Sequence, residues 1–262
     1  AEEQFDENGY AVLPGFVATL KGRIEHLIKE FEATEEFTIF STKEQPTKTN
    51  KYFLDSGDKI RFFFEENAFT AEGELKQEKK LSINKIAHAL HDEDPEFSKF
   101  SRKPEMEKVA RELIGFQNPL LIQSIPASAA KDSTFLYTEP LSCVAFWFAF
   151  EEATRDNGCL WVIPGSHKHG IKRRFVREGD GVTFKPPKGD DPEWADPTQF
   201  VPVEVPAGTL VLMHGSLVHM SYENKSDQSR QAYTLHIVEG PPHATYPADN
   251  WLQRPANPPR GF

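Results

Sequence analysis

The sequence predicts a mainly β protein, a sandwich or jelly roll with helices packed on its outside. Three observations predict it. After about Asn118 the chain breaks into short β-rich runs: "PLLIQSI", "CVAFWFAF", "CLWVIPG", "FVPVEV", "TLVLMHG", "LVHMSYE" and "QAYTLHIVE". Turn formers separate them, as in "RDNG", "PGSH", "PAGT" and "NKSD". Many short strands punctuated by turns are the pattern of a sandwich or barrel. Before Asn118, apolar residues recur mainly at helical spacing, so the helices should come from that part of the chain.

Taken in order, "RIEHLIKEF" places Ile24, Leu27, Ile28 and Phe31 on one helical face. "DKIRFFFEE" reads as a strand or apolar edge. "SINKIAHALHDEDPEF" is predicted as a helix, with Ser82 as its N-cap and Ile83, Ile86, Ala87 and Leu90 along one side. "KPEMEKVARELIGF" has Pro104 near a helix start and Gly115 near its end. Within the β-rich part, "KPPKGDDPEWADPTQ" is a loop, and the Pro-rich tail from Pro255 to Pro259 should lie extended on the surface. The expected organisation is one domain over 1–262: a helix-rich front to about 117, a β core over about 118–240 and an extended tail over 241–262.

The 262 residues include 40 acidic and 30 basic ones, a net charge of -10. That length supports a substantial core, and the acidic balance argues against a nucleic-acid partner, which needs a basic face. The 21 phenylalanines fit core packing or an apolar pocket. Cys143 and Cys159, the two cysteines, sit in apolar runs and read as reduced, buried thiols. No apolar run approaches the ~20 residues of a membrane span. A cytoplasmic location is the expectation.

Several side chains could carry chemistry. His214 and His219 flank a turn after the strand "TLVLM"; a histidine at a strand end suits a metal, and equally a hydrogen-bonded structural role. In "RQAYTLHIVE", Arg230, Ala232, Thr234 and His236 share one face, and Gln231, Tyr233, Leu235 and Ile237 the other. If the first face turns inward, Arg230 needs an anion, because an unpaired buried charge is costly, and its planar fork suits a carboxylate. If it turns outward, a surface acid would serve. His88 and His91, three apart on the expected helix with Lys85 one turn back, could hold a metal or form an ordinary polar face. His167 and His169 follow "VIPGS" in a turn, where exposure is expected.

Longer stretches carry a resemblance. "NGCLWVIPGSHKHG" is similar to the strand–turn motif of the phytanoyl-CoA dioxygenase family. "SGDKIRFFFEENAF", "STFLYTEP", "HGSLVHMSYENKSDQSRQAYTLHIVEG" and "NWLQ" extend the likeness over nearly the whole chain. The resemblance implies a double-stranded β-helix, the cupin-like jelly roll, that binds Fe(II) and 2-oxoglutarate and couples oxidative decarboxylation of 2-oxoglutarate to oxidation of a small-molecule substrate. The family name points to an acyl-CoA or another carboxylic-acid derivative.

Iron would be held by a facial triad of two histidines and a carboxylate. Residue by residue, the resemblance places Asp132 on the carboxylate ligand, His219 on the distal histidine and Arg230 on the arginine that pairs with the far carboxylate of 2-oxoglutarate. Lys85 falls on a position associated with 2-oxoglutarate, and Trp147 on a pocket-lining one. His214 and His236 match no ligand position and read as supporting or packing residues. The chain departs from the pattern at one place. Where the family has His-x-Asp, this sequence has Ala130, Lys131 and Asp132, on a shortened loop, "PASAAK". Alanine has no lone pair to give. Two readings stay open: an oxygenase altered at this loop, or a non-catalytic relative that keeps the 2-oxoglutarate pocket without iron.

Overall fold

The computed structural model describes residues 1–16, 20–31, 38–39, 51–65, 67–125, 136–186 and 196–262. Its strands, in chain order, are β1 (Tyr10–Pro14), β2 (Thr38–Ile39), β3 (Ile60–Phe64), β4 (Ile83–His88), β5 (Pro119–Ile125), β6 (Val144–Ala149), β7 (Leu160–Val162), β8 (Arg174–Glu178), β9 (Gly181–Lys185), β10 (Val201–Val203), β11 (Thr209–His214), β12 (His219–Ser221) and β13 (Ala232–Glu239). A large sheet runs β1-β11-β6-β13-β5-β4-β3-β2, and a small one β10-β7-β12; β8 and β9 form a separate hairpin. Every pairing is antiparallel except β2 with β3. All seven β-rich runs after Asn118 contain a strand.

The large sheet is covered on both faces. One face packs on helical residues: Tyr233, Leu235 and Ile237 of β13 join Phe146 and Phe148 of β6 in a cluster with Phe97, Phe100 and Met106. Phe97 and Phe100 come from the helix Pro95–Ser101, which Asp94 caps by accepting from the amides of Glu96 and Phe97. The other face meets the small sheet. There Ala145, Trp147, Ala149 and Ala232 pack with Leu160 and Val162 of β7 and Val203 of β10. A third cluster, of Phe53, Phe63, Ala87, Ile122, Phe175, Val182 and Trp251, closes the sheet's far half beneath the β8–β9 hairpin.

The front part corrects one expectation. "INKIAH" is strand β4, not part of a helix; helix follows only at Leu90–Glu93 and Pro95–Ser101. The sheet here is buried on both sides, so β4 shows no polar-apolar alternation, and its spaced isoleucines mimic a helical stripe. Lys85 and His88 therefore belong to the sheet. The helix Lys21–Glu30 forms as the spacing indicates, and the segment from Pro104 coils as far as Leu113, its second half as a π-helix, before Gly115 takes a left-handed turn. The tail from Pro255 is largely exposed, with bends at 255–257, and it is tied down: Ala256 and Asn257 donate backbone N–H groups to Asp58, and the Arg260 backbone bridges to Leu121. Both cysteines are free and buried. Burial raises the thiol pKa of Cys143 to about 12 and of Cys159 to about 11.

Candidate active site

Strand β13 builds the floor of the site. Its alternation resolves the two options for Arg230. With Tyr233, Leu235 and Ile237 on the helical side, Ala232, Thr234 and His236 face the space between the sheets. Cross-strand pairing sets their neighbours. Thr234 lies between Trp147 of β6 and Ile125 of β5, and His236 between Ala145 and Gln123.

Arg230 stands just before this strand, and two features aim it inward. Glu151 accepts hydrogen bonds from the Ser229 hydroxyl (2.7 Å) and the Gln231 amide (2.8 Å), clamping the residues on either side of it. Gly158, at φ 89°, lets the 154–158 turn pass close to the chain just after β12; a Cβ there would meet the Tyr222 carbonyl oxygen at 2.8 Å and stand 3.9 Å from an Arg230 nitrogen. The Arg230 guanidinium lies 5.8 Å from the centre of the Trp147 ring. Its Nε is buried with no hydrogen-bond partner, as are Trp147 Nε1 and Thr234 Oγ1. Burial pulls the Arg230 pKa below its ordinary value. Among the described residues no carboxylate pairs with it. A guanidinium in that state fits an anionic ligand.

His219 opens β12, opposite Val162 of β7. Its Nδ1 lies 2.8 Å from the Leu217 carbonyl oxygen. That contact requires Nδ1 to carry the proton, which leaves the lone pair on Nε2, the arrangement a metal-binding histidine needs. Burial lowers its pKa, against the Leu217 carbonyl, which works the other way. The ring is thus neutral and able to ligate.

Lys85 is buried on β4, its ammonium 5.0 Å from the Phe63 ring centre and 5.3 Å from that of Phe53. Desolvation holds its pKa well below the usual lysine value. His88, fully buried, bonds Ser56 through Nδ1 at 2.6 Å, while its Nε2 has no partner. Burial, and after it the nearby charges of Lys85 and His236, keep His88 neutral. His236 is held at about 4 by burial and by His219. Lys85 and His88 share the Phe53 and Phe63 rings as neighbours.

The structure brings Arg230 beside Trp147, and Lys85 and His88 together at the Phe53 and Phe63 rings. His91 takes no part: it lies at a network around Asp92 and Arg254. His214 bonds Ser216 through Nδ1 and packs against the His167 ring. Asp132 and Ala130 lie outside the described residues, as does the shortened loop between them and Ile125. Among the described residues no three metal-binding side chains cluster. Sequence reasoning missed Gln123, whose buried Nε2 lacks a partner, because a bulge in β5 turns it inward opposite His236.

The model of the phytanoyl-CoA dioxygenase family matches residues 5–232. The chain belongs to this family. Membership places it among the 2-oxoglutarate-dependent oxygenases, with Fe(II) as cofactor and 2-oxoglutarate as cosubstrate. The Arabidopsis thaliana protein named phytanoyl-CoA dioxygenase is 42% identical, covering 95% of this chain and 91% of its own length. The Mus musculus phytanoyl-CoA dioxygenase domain-containing protein 1 is also 42% identical, covering 96% of this chain and 93% of its own. That alignment spans 276 positions, more than the 262 residues of this chain, so the mouse protein carries residues with no counterpart here.

Among solved structures, the non-heme alpha ketoglutarate dependent epimerase SnoN superposes with a TM-score of 0.57 at 15% identity, over 94% of this chain and 83% of that one. EctD from S. alaskensis, crystallised with 2-oxoglutarate and 5-hydroxyectoine, gives 0.55 at 18%, over 91% and 74%. At such identities the likeness is one of fold, the cupin jelly roll. Among the described residues no helix is long and apolar enough to cross a membrane.

Proposed function

We propose that this chain, acting as one domain, uses Fe(II) and 2-oxoglutarate to oxidise a small carboxylic-acid derivative such as an acyl-CoA. The observation that carries this reading is Arg230, a half-buried guanidinium on the inner face of the jelly roll whose buried Nε has no protein partner. Its fork would take the far carboxylate of 2-oxoglutarate in charge-assisted hydrogen bonds. Trp147 flanks the guanidinium, and Lys85 is a second basic side chain, buried on β4.

The donor set fits iron in part. His219 presents a neutral Nε2, fixed by its Nδ1 bond to Leu217, and Asp132 is the carboxylate ligand by its place in the sequence. Bound Fe(II) would supply the activation of dioxygen that drives 2-oxoglutarate decarboxylation. The protein's part is to hold the cosubstrate, orient its ligands and exclude water; Val162, Leu160 and Val211 wall the space on the apolar side.

A second reading has one observation in its favour. Ala130 stands where the family has its first metal histidine, and a lost ligand weakens metal binding. The chain would then bind 2-oxoglutarate without turning it over.

One assay separates the two. Release of CO2 from 1-labelled 2-oxoglutarate, with Fe(II) added to saturation, is expected from the wild-type chain and not from Arg230→Ala. Binding of 2-oxoglutarate without any release would establish the non-catalytic reading. Neither binding nor release would remove both.

A further inference from the structure

The stretch "NGCLWVIPGSHKHG" holds one buried polar side chain that touches neither Arg230 nor His219 directly. Ser166 follows Gly165, whose φ of 77° is left-handed, and is only 4% exposed. Its hydroxyl oxygen accepts a hydrogen bond from the Val218 amide at 2.9 Å. Val218 is itself buried, and its carbonyl oxygen accepts from the Ile163 amide at 3.0 Å. The 163–166 turn thus grips Val218 through both of its backbone polar groups.

The Val218 N–H and the Leu217 carbonyl belong to one peptide group. That group is planar, so its two polar ends turn together. Ser166 fixes one end. The other, the Leu217 oxygen, meets His219 Nδ1 at 2.8 Å. The contacts therefore run from the Ser166 hydroxyl through a single peptide plane to the imidazole. On a neutral histidine, the hydrogen bond made by one ring nitrogen sets which nitrogen bears the proton, and a carbonyl oxygen can only accept. Whatever holds the Leu217 carbonyl toward the ring decides that Nδ1 carries the proton and Nε2 the lone pair.

Other contacts hold the same loop through neighbouring groups. The Gly215 amide donates to the Cys143 carbonyl at 2.7 Å, and the Leu217 amide to the His214 carbonyl at 2.9 Å. The Ser216 hydroxyl bonds the His167 carbonyl and His214 Nδ1. These place residues 214–217, whereas Ser166 is the side chain that bonds the Leu217–Val218 plane itself.

We propose that Ser166 is a positioning residue for His219: by locking the Leu217–Val218 peptide plane, it holds the imidazole in the tautomer whose Nε2 is open to a metal. The proposal rests on the reading of His219 as a metal ligand. Without the hydroxyl, the buried Val218 N–H loses its acceptor, the plane is released, and the proton is free to pass to Nε2.

The test reads the ring itself, in the metal-free full chain. Long-range proton–nitrogen NMR, at a mildly alkaline pH where imidazole is neutral, shows which nitrogen bears the proton; His219→Gln identifies the signals of this ring. Wild-type His219 should carry the proton on Nδ1. In Ser166→Ala a population protonated on Nε2 should appear, and the Val218 amide should exchange with solvent at least about tenfold faster. Ser216→Ala, which removes a hydroxyl from the same loop, should leave the His219 tautomer unchanged; that separates a hold on the plane from general loosening. Co(II) affinity should fall roughly 10–100-fold in Ser166→Ala, as when a metal ligand loses its outer partner. A wild-type ring protonated on Nε2 would overturn the proposal whether or not any variant folds. So would an unchanged tautomer in folded Ser166→Ala, or an equal shift in Ser216→Ala. If the tautomer shifts as expected in a chain that binds no Co(II), the hold of Ser166 on the ring stands and the reading of His219 as a metal ligand falls.

Discussion

Two buried polar regions of this molecule follow opposite rules. Around Asp92 the charges are paired with one another, although Arg254 Nε itself lacks a hydrogen bond. Its carboxylate accepts from Arg102 (2.6 Å), from Arg260 (2.8 Å) and from Arg254, and His91 lies 3.3 Å away. On the inner face of the large sheet, by contrast, Arg230 Nε, Thr234 Oγ1, Trp147 Nε1, His236 Nδ1 and Gln123 Nε2 have no partner. Buried polar groups are normally satisfied. The first region is therefore structure: it ties the tail and the helix Pro95–Ser101 to the sheet. The second is arranged for something that enters.

Acid gives the largest test of this contrast. In the unfolded chain an imidazole takes up a proton near pH 6.5. In the fold, burial keeps His91 neutral down to about 3 and His214 down to about 4. The unfolded state binds more protons across that window, so stability is full above ~6.5 and falls as the pH drops, by roughly 1.4 kcal/mol per pH unit for each such histidine. Urea unfolding midpoints at pH 7 and pH 4.5 should differ accordingly. A flat profile would mean these rings are not buried as described.

Next comes Asp92 itself. Burial works against its charge, but His91, Arg254 and Arg260 overcome that and hold its carboxyl well below the usual range. Asp92→Ala strands Arg254, whose side chain is only 2% exposed. The expected loss of stability is about 3–5 kcal/mol, read by chemical denaturation. If the region is structural, 2-oxoglutarate affinity of the folded fraction should not change.

Arg230→Ala should do the reverse. It removes a half-buried guanidinium whose Nε is unpartnered, so folding stability should hold or rise, while 2-oxoglutarate affinity falls by about 1.5–3 kcal/mol for each charged hydrogen bond lost. Calorimetry and a urea curve on the same preparation check both halves. A variant that loses stability and keeps affinity would reverse the assignment of the two regions.

The smallest effect is expected on the helical side of β13. Tyr233 hydroxyl and Ser101 hydroxyl bond at 2.8 Å in the core. Tyr233→Phe should cost about 0.5–1.5 kcal/mol of stability and leave CO2 release from 2-oxoglutarate unchanged, although its backbone neighbours line the site. Impaired turnover would show that the two faces of β13 are not independent.

What the sequence revealed follows the same physics. β13 was legible because its two faces differ: Arg230, Thr234 and His236 alternate with Tyr233, Leu235 and Ile237. β4 was not, because both its faces are buried, and Ile83, Ile86 and Leu90 fall at a spacing that a helix would also produce. The β8–β9 hairpin left a signal in "EGDG", a turn between "RFVR" and "VTFK", but no strand is expected there from the runs alone. β1 is five residues long and carries its proline at the end, too brief a pattern to stand out. In the site, Arg230, His219, Lys85 and Trp147 were named from the sequence, and all four are inward or buried in the fold. Gln123 was not legible, because the bulge that turns it inward depends on its pairing with β13. The interior setting of His236 needed the structure too, since only strand pairing places it between Gln123 and Ala145.

The central claim is that Arg230 anchors a dicarboxylate between the sheets. Calorimetric titration of the metal-free chain with 2-oxoglutarate and with 2-oxobutanoate, which lacks the far carboxylate, tests it most directly. The account predicts that 2-oxoglutarate binds and that 2-oxobutanoate binds at least about tenfold more weakly, the loss of one charge-assisted hydrogen bond or more. Equal affinity for the two would contradict it.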